Sequence, residues 1–333
     1  MRGLFSFCLL FLIGPHSLSG QPAFKEEDVS FRNQQIQLAG VVLKPQKPVN
    51  PATAVVIIQG SGNSDRTNSW AYSFAKDLAE KGIYVLLPDK RGCGKSGGDW
   101  KKAGMKELAT DAIAGLDFLL KRKEFLIKRI GLAGLSQGGM IAPLAASLSS
   151  KIDFIVDIVG SAATLEETSI HEMVNTCRQN GLAGPQLQQV LALHAAMKNF
   201  VIQNDWNTYQ RILDSLRESP LAEFAKGFPA TKDAWLWQWI RLNFNYDPAF
   251  YWKQVKKPVL VIYGEKDEQD NTPVWRSCYI LESVFQSQNH KDYIIKVFEN
   301  TGHALYEADK TVVRKDILDF FSGWILKTVT NTD

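Results

Sequence analysis

The stretch Gly134-Leu135-Ser136-Gln137-Gly138 places a serine between two glycines at the spacing G-x-S-x-G. It follows the apolar run 130–133 and precedes the helical pattern 139–148. This is the strand-turn-helix setting in which the motif exposes a nucleophilic hydroxyl. Glycines on both sides avoid collisions in such a crowded, strained turn. We therefore predict that Ser136 is a nucleophile and that the N–H of Gln137 donates to an oxyanion. The alternative is an inert serine in a glycine-rich turn.

A hydroxyl nucleophile needs a base that accepts its proton and a group that orients the base. His303 follows the apolar run 293–298 by a short loop, and Asp267 follows the apolar run 259–263. Loops at the carboxyl ends of parallel strands are where such sheets collect catalytic groups. We predict His303 as the base and Asp267 as the acid, in the chain order Ser, acid, His.

Other side chains of the same types are weaker candidates for these roles. Glu265 and Asp270 flank Asp267 and remain alternatives for the acid, although exposed loop carboxylates would look the same. The remaining histidines after residue 20 lie on helical pattern or in a polar loop before a strand. We expect them to be surface or core residues; they are His171, His194 and His290.

A second oxyanion donor is expected from the loop after the apolar run 54–58. There the chain reads Gln59-Gly60-Ser61-Gly62-Asn63-Ser64-Asp65-Arg66, a glycine-rich turn whose backbone can approach a ligand closely. We predict the N–H of Ser61 as this donor. A plain turn would have a similar composition, so the assignment depends on the other three candidates.

A second glycine-rich stretch, Arg91-Gly92-Cys93-Gly94-Lys95-Ser96-Gly97-Gly98, imitates two nucleotide-binding motifs. A phosphate loop requires glycine five positions before Gly94, where this chain has Asp89. A dinucleotide loop must open directly into a helix, whereas Gly98-Asp99-Trp100 continues as loop. We therefore predict a flexible loop here and no nucleotide cofactor.

These candidates can meet only if the chain forms a parallel sheet. Residues 29–43 alternate apolar and polar side chains around Asn33-Gln34-Gln35, which predicts an antiparallel hairpin. Later apolar runs are dense enough for burial on both faces, and they alternate with helical patterns. The runs are 54–58, 83–87, 130–133, 154–159, 259–263 and 293–298, and the helical patterns are 69–81, 105–123, 140–148, 273–286 and 312–327. We predict an α/β fold with a mostly parallel eight-stranded sheet and helices on both faces.

The alternation is interrupted between Ala162 and Lys257, where helical pattern occurs without a comparable strand. We interpret the chain as the first part of an α/β core at 21–162, a helical cap insertion at 163–257 and the second part of that core at 258–333. The many aromatic residues of the insertion favour a small helical core, although a cap would also turn some of them toward a pocket. They include Trp206, Trp235, Trp237, Trp239, Trp252, Phe244, Tyr246, Phe250 and Tyr251.

Composition is that of a globular protein, with 45% hydrophobic and 22% charged residues and a formal net charge of +3. This near-balance gives no support to nucleic-acid binding and favours a small-molecule or peptide substrate.

Residues 1–20 have the pattern of a signal peptide. Arg2 precedes the apolar run 4–13, which is too short to span a bilayer, and Ser17-Leu18-Ser19 offers small residues for cleavage. We predict cleavage after Ser19 or Gly20 and an exported protein, periplasmic or extracellular, with no stable membrane span. An uncleaved anchor or a buried first strand is the alternative.

Three cysteines would remain after cleavage, Cys93, Cys177 and Cys278, because Cys8 lies within the signal segment. They have no C-x-x-C spacing, and no histidine is placed to complete a zinc site. An odd number cannot all pair with one another, and a chain of 333 residues can be stabilised by its core. We predict free buried thiols, at most one disulfide, and neither a metal nor another cofactor.

With these residues in place, the chain resembles the α/β-hydrolase family, and within it the exported serine esterases and acyl hydrolases with an inserted helical cap. The resemblance covers about residues 29–326. Its landmarks are Gly60-Ser61-Gly62 with Asp65-Arg66, Pro88-Asp89-Lys90-Arg91-Gly92, the Ser136 turn, Gly264 to Asp267, and Gly302-His303. The resemblance implies a Ser-Asp-His triad, no metal, and a cap after the sixth strand that shapes an acyl pocket. The family usually has histidine where this chain has Gln59.

The expected function is hydrolysis of carboxylic esters, of short acyl chains in particular, through an acyl-enzyme on Ser136. A peptidase or aminopeptidase on the same fold is the first alternative, because Glu166, Glu167 and Glu172 could form an acidic cap pocket for a free amine. A non-catalytic binding protein with a hydrolase fold and an intracellular thioesterase are the others. A shared fold does not decide among them.

Overall fold

The computed structural model describes residues 22–182 and 184–330, which contain one eight-stranded sheet. Its strands β1 to β8, in chain order, are Phe24–Asn33, Ile36–Pro45, Thr53–Ile58, Tyr84–Pro88, Arg129–Leu135, Phe154–Ile158, Val259–Gly264 and Tyr293–Phe298. They lie side by side in the order β1-β2-β4-β3-β5-β6-β7-β8. The β1–β2 and β2–β4 pairs are antiparallel and all the others are parallel. The predicted mostly parallel sheet is thereby confirmed.

The parallel register brings the ends of the central strands to one edge of the sheet. Ile58 at the end of β3 lies opposite Gly134 in β5, and Gly264 at the end of β7 lies opposite Phe298 at the end of β8. The loops and turns that follow these four strands carry the predicted site residues, which are Ser61, Ser136, Asp267 and His303.

Helices cover both faces of the sheet, as predicted. Successive strand residues point to opposite faces. Val55 packs in one cluster with Phe74 and Phe321, and Val56 packs in the other with Leu116 and Ile141. The α-helices α1 to α11 are Ser69–Glu80, Met105–Lys121, Gln137–Leu148, Leu165–Gln179, Pro185–Gln203, Trp206–Arg217, Ala222–Ala225, Trp235–Asn243, Pro248–Trp252, Val274–Ser287 and Lys315–Thr330. Short 3-10 helices lie at Trp100–Lys102, Lys123–Phe125 and Glu265–Gln269.

Helices α4 to α9 lie between β6 and β7 in the chain, and we call residues 165–252 the helical segment. This segment has a hydrophobic cluster of its own. In it, the Trp237 ring packs edge-on against Phe200 and Tyr209, with ring centroids 4.8 and 4.9 Å away. Rigid aromatic rings therefore supply much of the packing inside the segment.

The aromatic residues of the helical segment divide among several environments. Tyr246 and Trp252 belong to the sheet core rather than to the cluster of the segment. Trp235 and Phe250 are exposed, whereas Trp239 lines a cavity. Both expectations therefore hold for different residues, because Trp237 forms part of a core and Trp239 faces a cavity.

The described residues include no helix that is long and apolar enough to cross a bilayer. The predicted signal segment 1–20, with Cys8, lies outside the described residues. Cys93, Cys177 and Cys278 are free thiols, as predicted, although Cys278 is only partly buried.

Candidate active site

Ser136 occupies the sharp turn between β5 and α3. Its backbone has φ 53° and ψ −115°, a conformation that is strained for a residue with a side chain. Neighbouring backbone explains the glycines. A Cβ atom on Gly134 would lie 2.1 Å from the carbonyl oxygen of Gly138, and one on Gly138 would lie 2.1 Å from that of Ile58. The N–H of Ser136 donates to the carbonyl of Ile158 at 2.8 Å, which ties the turn to β6.

The side chains predicted from three different loops meet at this turn. The Oγ of Ser136 lies 3.0 Å from Nε2 of His303, and Nδ1 of His303 lies 2.8 Å from Oδ2 of Asp267. Asp267 is completely buried, and its other oxygen accepts hydrogen bonds from the N–H groups of Asn271 and Thr272 at 3.2 Å each. The backbone therefore holds one carboxylate oxygen while the other faces the imidazole.

This relay can move a proton from the serine. With Nδ1–H donating to Asp267, the Nε2 atom of His303 is the acceptor for the Ser136 hydroxyl. The carboxylate also stabilises the imidazolium that forms when the proton is transferred. The Trp70 ring packs beside the imidazole, with ring centroids 5.9 Å apart. The arrangement suits attack by the serine oxygen on a carbonyl carbon.

The alternative acids lie elsewhere on the loop. Glu265 is exposed and accepts a hydrogen bond from the N–H of Asn300 at 3.3 Å, and Asp270 is also exposed. Neither hydrogen-bonds to His303 within the described residues. The same residues contain no group of three or more His, Cys, Asp or Glu side chains that could hold a metal ion.

None of the other described histidines hydrogen-bonds to Ser136. The Nε2 atom of His171 lies 3.0 Å from the side-chain nitrogen of Asn175, and that of His290 lies 3.0 Å from the carbonyl of Lys257. His194 lines a cavity in the helical segment, and burial lowers its pKa.

Two backbone N–H groups beside Ser136 are available for an oxyanion. Those of Ser61 and Gln137 have no acceptor within residues 22–182 and 184–330. Gln137 is the first residue of α3, where helix N–H groups lack an intrahelical partner. The other loop lies close to Ser136, because a Cβ built on Gly60 would lie at ordinary contact distance, 3.6 Å, from the Cβ of Ser136. Both predicted donors thus lie in segments next to Ser136.

Gln59, at the position where the family usually has histidine, anchors the first of these loops. Its Nε2 donates to the carbonyls of Asp65 and Pro88, both at 3.0 Å, and its Oε1 accepts from the hydroxyl of Ser64 at 2.7 Å. The side chain is buried, so breaking these bonds would leave costly unpaired groups. A neutral amide therefore fastens the loop to the end of β4.

Asp89 and Arg66 connect the same loop to the segment after β4. The guanidinium of Arg66 donates to both oxygens of Asp89 at 2.9 and 2.8 Å, and the N–H of Lys95 donates at 2.8 Å. Burial alone would raise the pKa of Asp89, but these hydrogen bonds outweigh it and lower the pKa. The glycine-rich stretch wraps this carboxylate, since a Cβ on Gly94 would lie 2.6 Å from it. We conclude that the role of this stretch is to surround and hold the Asp89 carboxylate.

Lys90 is a candidate functional residue that sequence alone did not single out. Its Nζ donates to the carbonyl of Gly60 at 2.8 Å and to Oε1 of Gln137 at 2.7 Å. It also lies 5.3 Å above the ring centroid of Trp100. One signal in the sequence could have indicated Lys90. It lies between Asp89 and Arg91, directly after the end of a strand.

Asp157, in the middle of the sheet, is a second buried group that sequence did not indicate. Its Oδ1 accepts from the N–H of Gly160 at 2.8 Å, whereas Oδ2 has no hydrogen-bond partner among the described residues. A Cβ on Gly139 would lie 1.9 Å from Oδ1, so the carboxyl packs directly beneath α3. Burial raises the pKa of Asp157 well above its usual value, against the opposing hydrogen bond from Gly160.

A cavity of about 680 Å³ lies within the helical segment. Apolar side chains form most of its wall, among them Met197, Phe228 and Trp239, and Glu172 and His194 interrupt it. The cavity is large enough for a small organic substrate.

Glu172 lines this cavity, and charged groups around it shift its pKa. Its side chain is exposed to the cavity, yet the surrounding protein desolvates the carboxyl, and this effect together with the charge of Asp270 raises its pKa. His303 and His171 act in the opposite direction. The charge of His303 therefore affects the pKa of a carboxyl group that lines the cavity.

The three glutamates predicted for an acidic pocket differ in their partners. Glu166 pairs with Lys198 at 2.7 Å, and Glu167 pairs with Arg276 at 3.0 Å. Glu172 has neither an ion pair nor a hydrogen bond in the part of the chain that the structure describes. Of the three, Glu172 is therefore the carboxylate available to a ligand.

Residues 55–315 match the model of the alpha/beta hydrolase family. A Bacillus subtilis (strain 168) protein named "Putative hydrolase YtaP" is 28% identical over an aligned stretch of 137 residues, with 35% of this chain and 46% of that protein covered. The match thus spans less than half the length of this relative.

Solved structures share the fold at low sequence identity. The Pyrococcus furiosus esterase Pf2001 has a TM-score of 0.58 and 17% identity, with 93% of this chain and 92% of that chain covered. The proline iminopeptidase of Mycobacterium smegmatis has a TM-score of 0.54 and 16% identity, with 92% and 100% covered. An esterase and a peptidase therefore share this architecture. Because the family model spans well over half of its residues, the chain belongs to the alpha/beta hydrolase family.

Proposed function

We propose that the protein is a serine hydrolase that cleaves carboxylic esters through an acyl-enzyme on Ser136. The observation that carries the proposal is the relay from Ser136 through His303 to Asp267, with distances of 3.0 and 2.8 Å. A strained turn and a buried carboxylate hold this relay in the form that activates a serine hydroxyl. The esterase among the structural relatives supports ester cleavage by analogy of fold.

In the proposed reaction, His303 accepts the proton of Ser136 as the serine oxygen attacks the ester carbonyl. The N–H groups of Ser61 and Gln137 bind the resulting oxyanion. His303 then protonates the leaving alcohol as its C–O bond breaks. Water attacks the acyl-enzyme with His303 again as base, which releases the acid and restores Ser136. Each oxyanion donor typically contributes a factor of about 10² or more to kcat.

Short-acyl esters are the proposed substrates. A panel of p-nitrophenyl esters of increasing chain length, with thioesters and aminoacyl amides, measures this preference. The highest kcat/KM on a short-acyl ester would support the proposal. A preference for long chains, thioesters or amides would replace that substrate class.

Replacement of Ser136 by alanine tests the nucleophile. Ester hydrolysis by Ser136→Ala should fall to background, because alanine has no oxygen to attack the carbonyl, while the circular dichroism spectrum stays that of the wild type. A fluorophosphonate should label the wild type at Ser136, as located by peptide mass spectrometry. Ser161→Ala is the matched control, because the Ser161 hydroxyl is buried and lies 2.8 Å from that of Thr168.

Three outcomes would contradict the assignment. Turnover by Ser136→Ala would exclude this serine as the nucleophile. A label on Ser61 or Ser161 would move the nucleophile to another loop. A wild type that neither turns over any ester of the panel nor reacts with the fluorophosphonate would favour the non-catalytic binding protein.

A peptidase acting on substrates with a free amine is the second candidate, and Glu172 is the observation that favours it. An unpaired carboxylate that lines a cavity, and whose pKa the charge of His303 lowers, can bind an ammonium group. Glu172→Gln should then raise KM for aminoacyl amides at least tenfold while leaving that for neutral esters unchanged. Glu166→Gln is the control, because Glu166 is already paired with Lys198. Equal effects of Glu172→Gln on both substrate classes would remove this candidate.

We also propose that the protein is exported after cleavage following Ser19 or Gly20. The support is the charge and hydropathy pattern of residues 1–20. Mass spectrometry of the mature chain should find a new N-terminus at Gly20 or Gln21. Recovery of Met1 or Leu4 on the mature chain would contradict cleavage.

A further inference from the structure

The Lys90 side chain reaches both loops that carry the oxyanion donors. It lies after β4, is buried, and donates from Nζ to the carbonyl of Gly60 at 2.8 Å. This carbonyl belongs to the same peptide group as the N–H of Ser61. In a trans peptide, the C=O and N–H bonds point in opposite directions. A cation held behind the carbonyl therefore directs the Ser61 N–H away from itself and makes that N–H a stronger donor.

The same ammonium holds the second donor residue. Nζ of Lys90 donates to Oε1 of Gln137 at 2.7 Å, and the backbone N–H of Gln137 is the other free donor beside Ser136. One side chain thus connects the two segments that carry the predicted donors. Removal of the Lys90 ammonium would therefore remove one hydrogen bond from each of the two segments that carry the donors.

Lys90 differs from its charged neighbours because it has no carboxylate partner. Asp89 pairs with Arg66 at 2.8 Å, and Arg91 pairs with Asp111 at 2.8 Å. No Asp or Glu oxygen within residues 22–182 and 184–330 pairs with Lys90. A buried ammonium without a counter-ion is costly and must be held by oxygen dipoles and the Trp100 ring. Its uncompensated positive charge remains available to a developing oxyanion.

We propose that Lys90 is a positioning residue of the oxyanion hole, which orients the N–H groups of Ser61 and Gln137 and stabilises the negative charge that they bind. The inference rests on the proposed serine-hydrolase function. It assigns Lys90 no proton transfer and no contact with the substrate.

Lys90→Met is the direct test, because methionine keeps most of the length of the side chain and removes the charge and both hydrogen bonds. We expect kcat on a short p-nitrophenyl ester to fall about tenfold or more, less than the loss of a donor itself. KM should change less than twofold. The inhibition constant of a boronic acid, whose tetrahedral adduct with Ser136 places an oxygen in the hole, should rise by the same factor as kcat falls. Lys101→Met is the matched control, since Lys101 also lies over the Trp100 ring.

The pH dependence gives a readout that a merely structural lysine would not move. Burial lowers the pKa of Lys90 to about 8. Because the ammonium is the active form, kcat of the wild type should fall as pH rises through about 8, whereas Lys90→Met should be low and level over that range. The charged and titratable neighbours are Asp89 and Arg91, both paired, and Cys93 and Lys101. Cys93→Ser should keep the alkaline fall, which assigns that fall to Lys90.

The outcomes separate this inference from the proposed function. If wild-type Ser136 is labelled and esters are cleaved, yet Lys90→Met retains wild-type kcat and boronate affinity, only the role of Lys90 is refuted. A wild-type kcat that stays level from pH 7 to 10 refutes it as well, even if Lys90→Met does not fold. Loss of the alkaline fall in Cys93→Ser would transfer the titration to the thiol. Absence of labelling and turnover in the wild type would overturn the proposed function and this inference together.

Discussion

The sheet edge and the helical segment, residues 165–252, hold their side chains by different means. At the edge, directional hydrogen bonds fix each group: two backbone N–H groups hold Asp267, and two carbonyls and a hydroxyl hold Gln59. In the segment, rings such as Trp237 pack by shape against one another. Other apolar side chains, among them Phe228 and Trp239, line a cavity of about 680 Å³. The difference teaches that the reaction geometry is set by polar bonds that tolerate little movement. The cavity is bounded by apolar packing, which can tolerate a change of shape.

Among the variants that test this comparison, Asp267→Asn should have the largest effect on activity, because it breaks the polar side. The amide can donate to Nδ1 of His303, which would protonate Nε2 and leave no acceptor for the Ser136 proton. We expect kcat on p-nitrophenyl esters to fall about 10³-fold or more, with the melting temperature little changed. Glu265→Gln is the control, since Glu265 is exposed on the same loop. Similar losses in both variants would contradict the assignment of the acid.

Trp237→Ala tests the packed side, with an effect on stability rather than on chemistry. Trp237 is fully buried, and its indole N–H donates to the carbonyl of Thr231 at 2.9 Å. We expect the free energy of unfolding, from urea denaturation, to fall by about 3 kcal/mol or more. Fluorophosphonate labelling of Ser136 in the folded fraction should persist. Ile202→Ala is the control, because Ile202 is exposed and should cost about 0.5 kcal/mol or less. Loss of labelling at full folding would mean that the two regions are coupled.

A further prediction sharpens the comparison by removing one titratable group from beneath the turn. The pKa of Asp157 is raised by burial, so the folded state binds its proton more tightly than the unfolded state. This contribution is fully present below the unfolded pKa of about 4 and is lost as pH rises toward the folded pKa. Its slope is at most about 1.4 kcal/mol per pH unit.

Asp157→Asn keeps the shape and cannot ionise. Its melting temperature relative to the wild type should therefore increase between pH 5 and pH 8, as measured by calorimetry at several pH values. A constant difference over this range would show that Asp157 does not titrate differently in the two states.

Local signals were sufficient for the fold. The apolar run 293–298 corresponds to β8 residue for residue, and 154–159 exceeds β6 by one position. The expected burial on both faces is confirmed for β6, where all five residues are buried. It was wrong for β8, which lies at the edge of the sheet and leaves Ile294 exposed. The turn at Ser136 was also accessible, because strand, glycines and helix all lie within a few residues of it.

Long-range partners were not accessible to the same reasoning. Lys90 acquires its place only from oxygens 30 and 47 positions away. Glu166, Glu167 and Glu172 have the same side chain in one helix, and only the folded chain distinguishes the paired members from the unpaired one. Identity along a chain gives the kind of group, whereas its electrostatic surroundings depend on residues brought in from other elements.

Gln59 has a consequence for work in acidic solution. A histidine there would gain a proton as the solution became acidic, and its ring would then lose the ability to accept a hydrogen bond. The carboxamide has no proton equilibrium in that range and keeps its bonds to Ser64, Asp65 and Pro88. Below neutrality, this anchor should leave the shape of its loop unaltered.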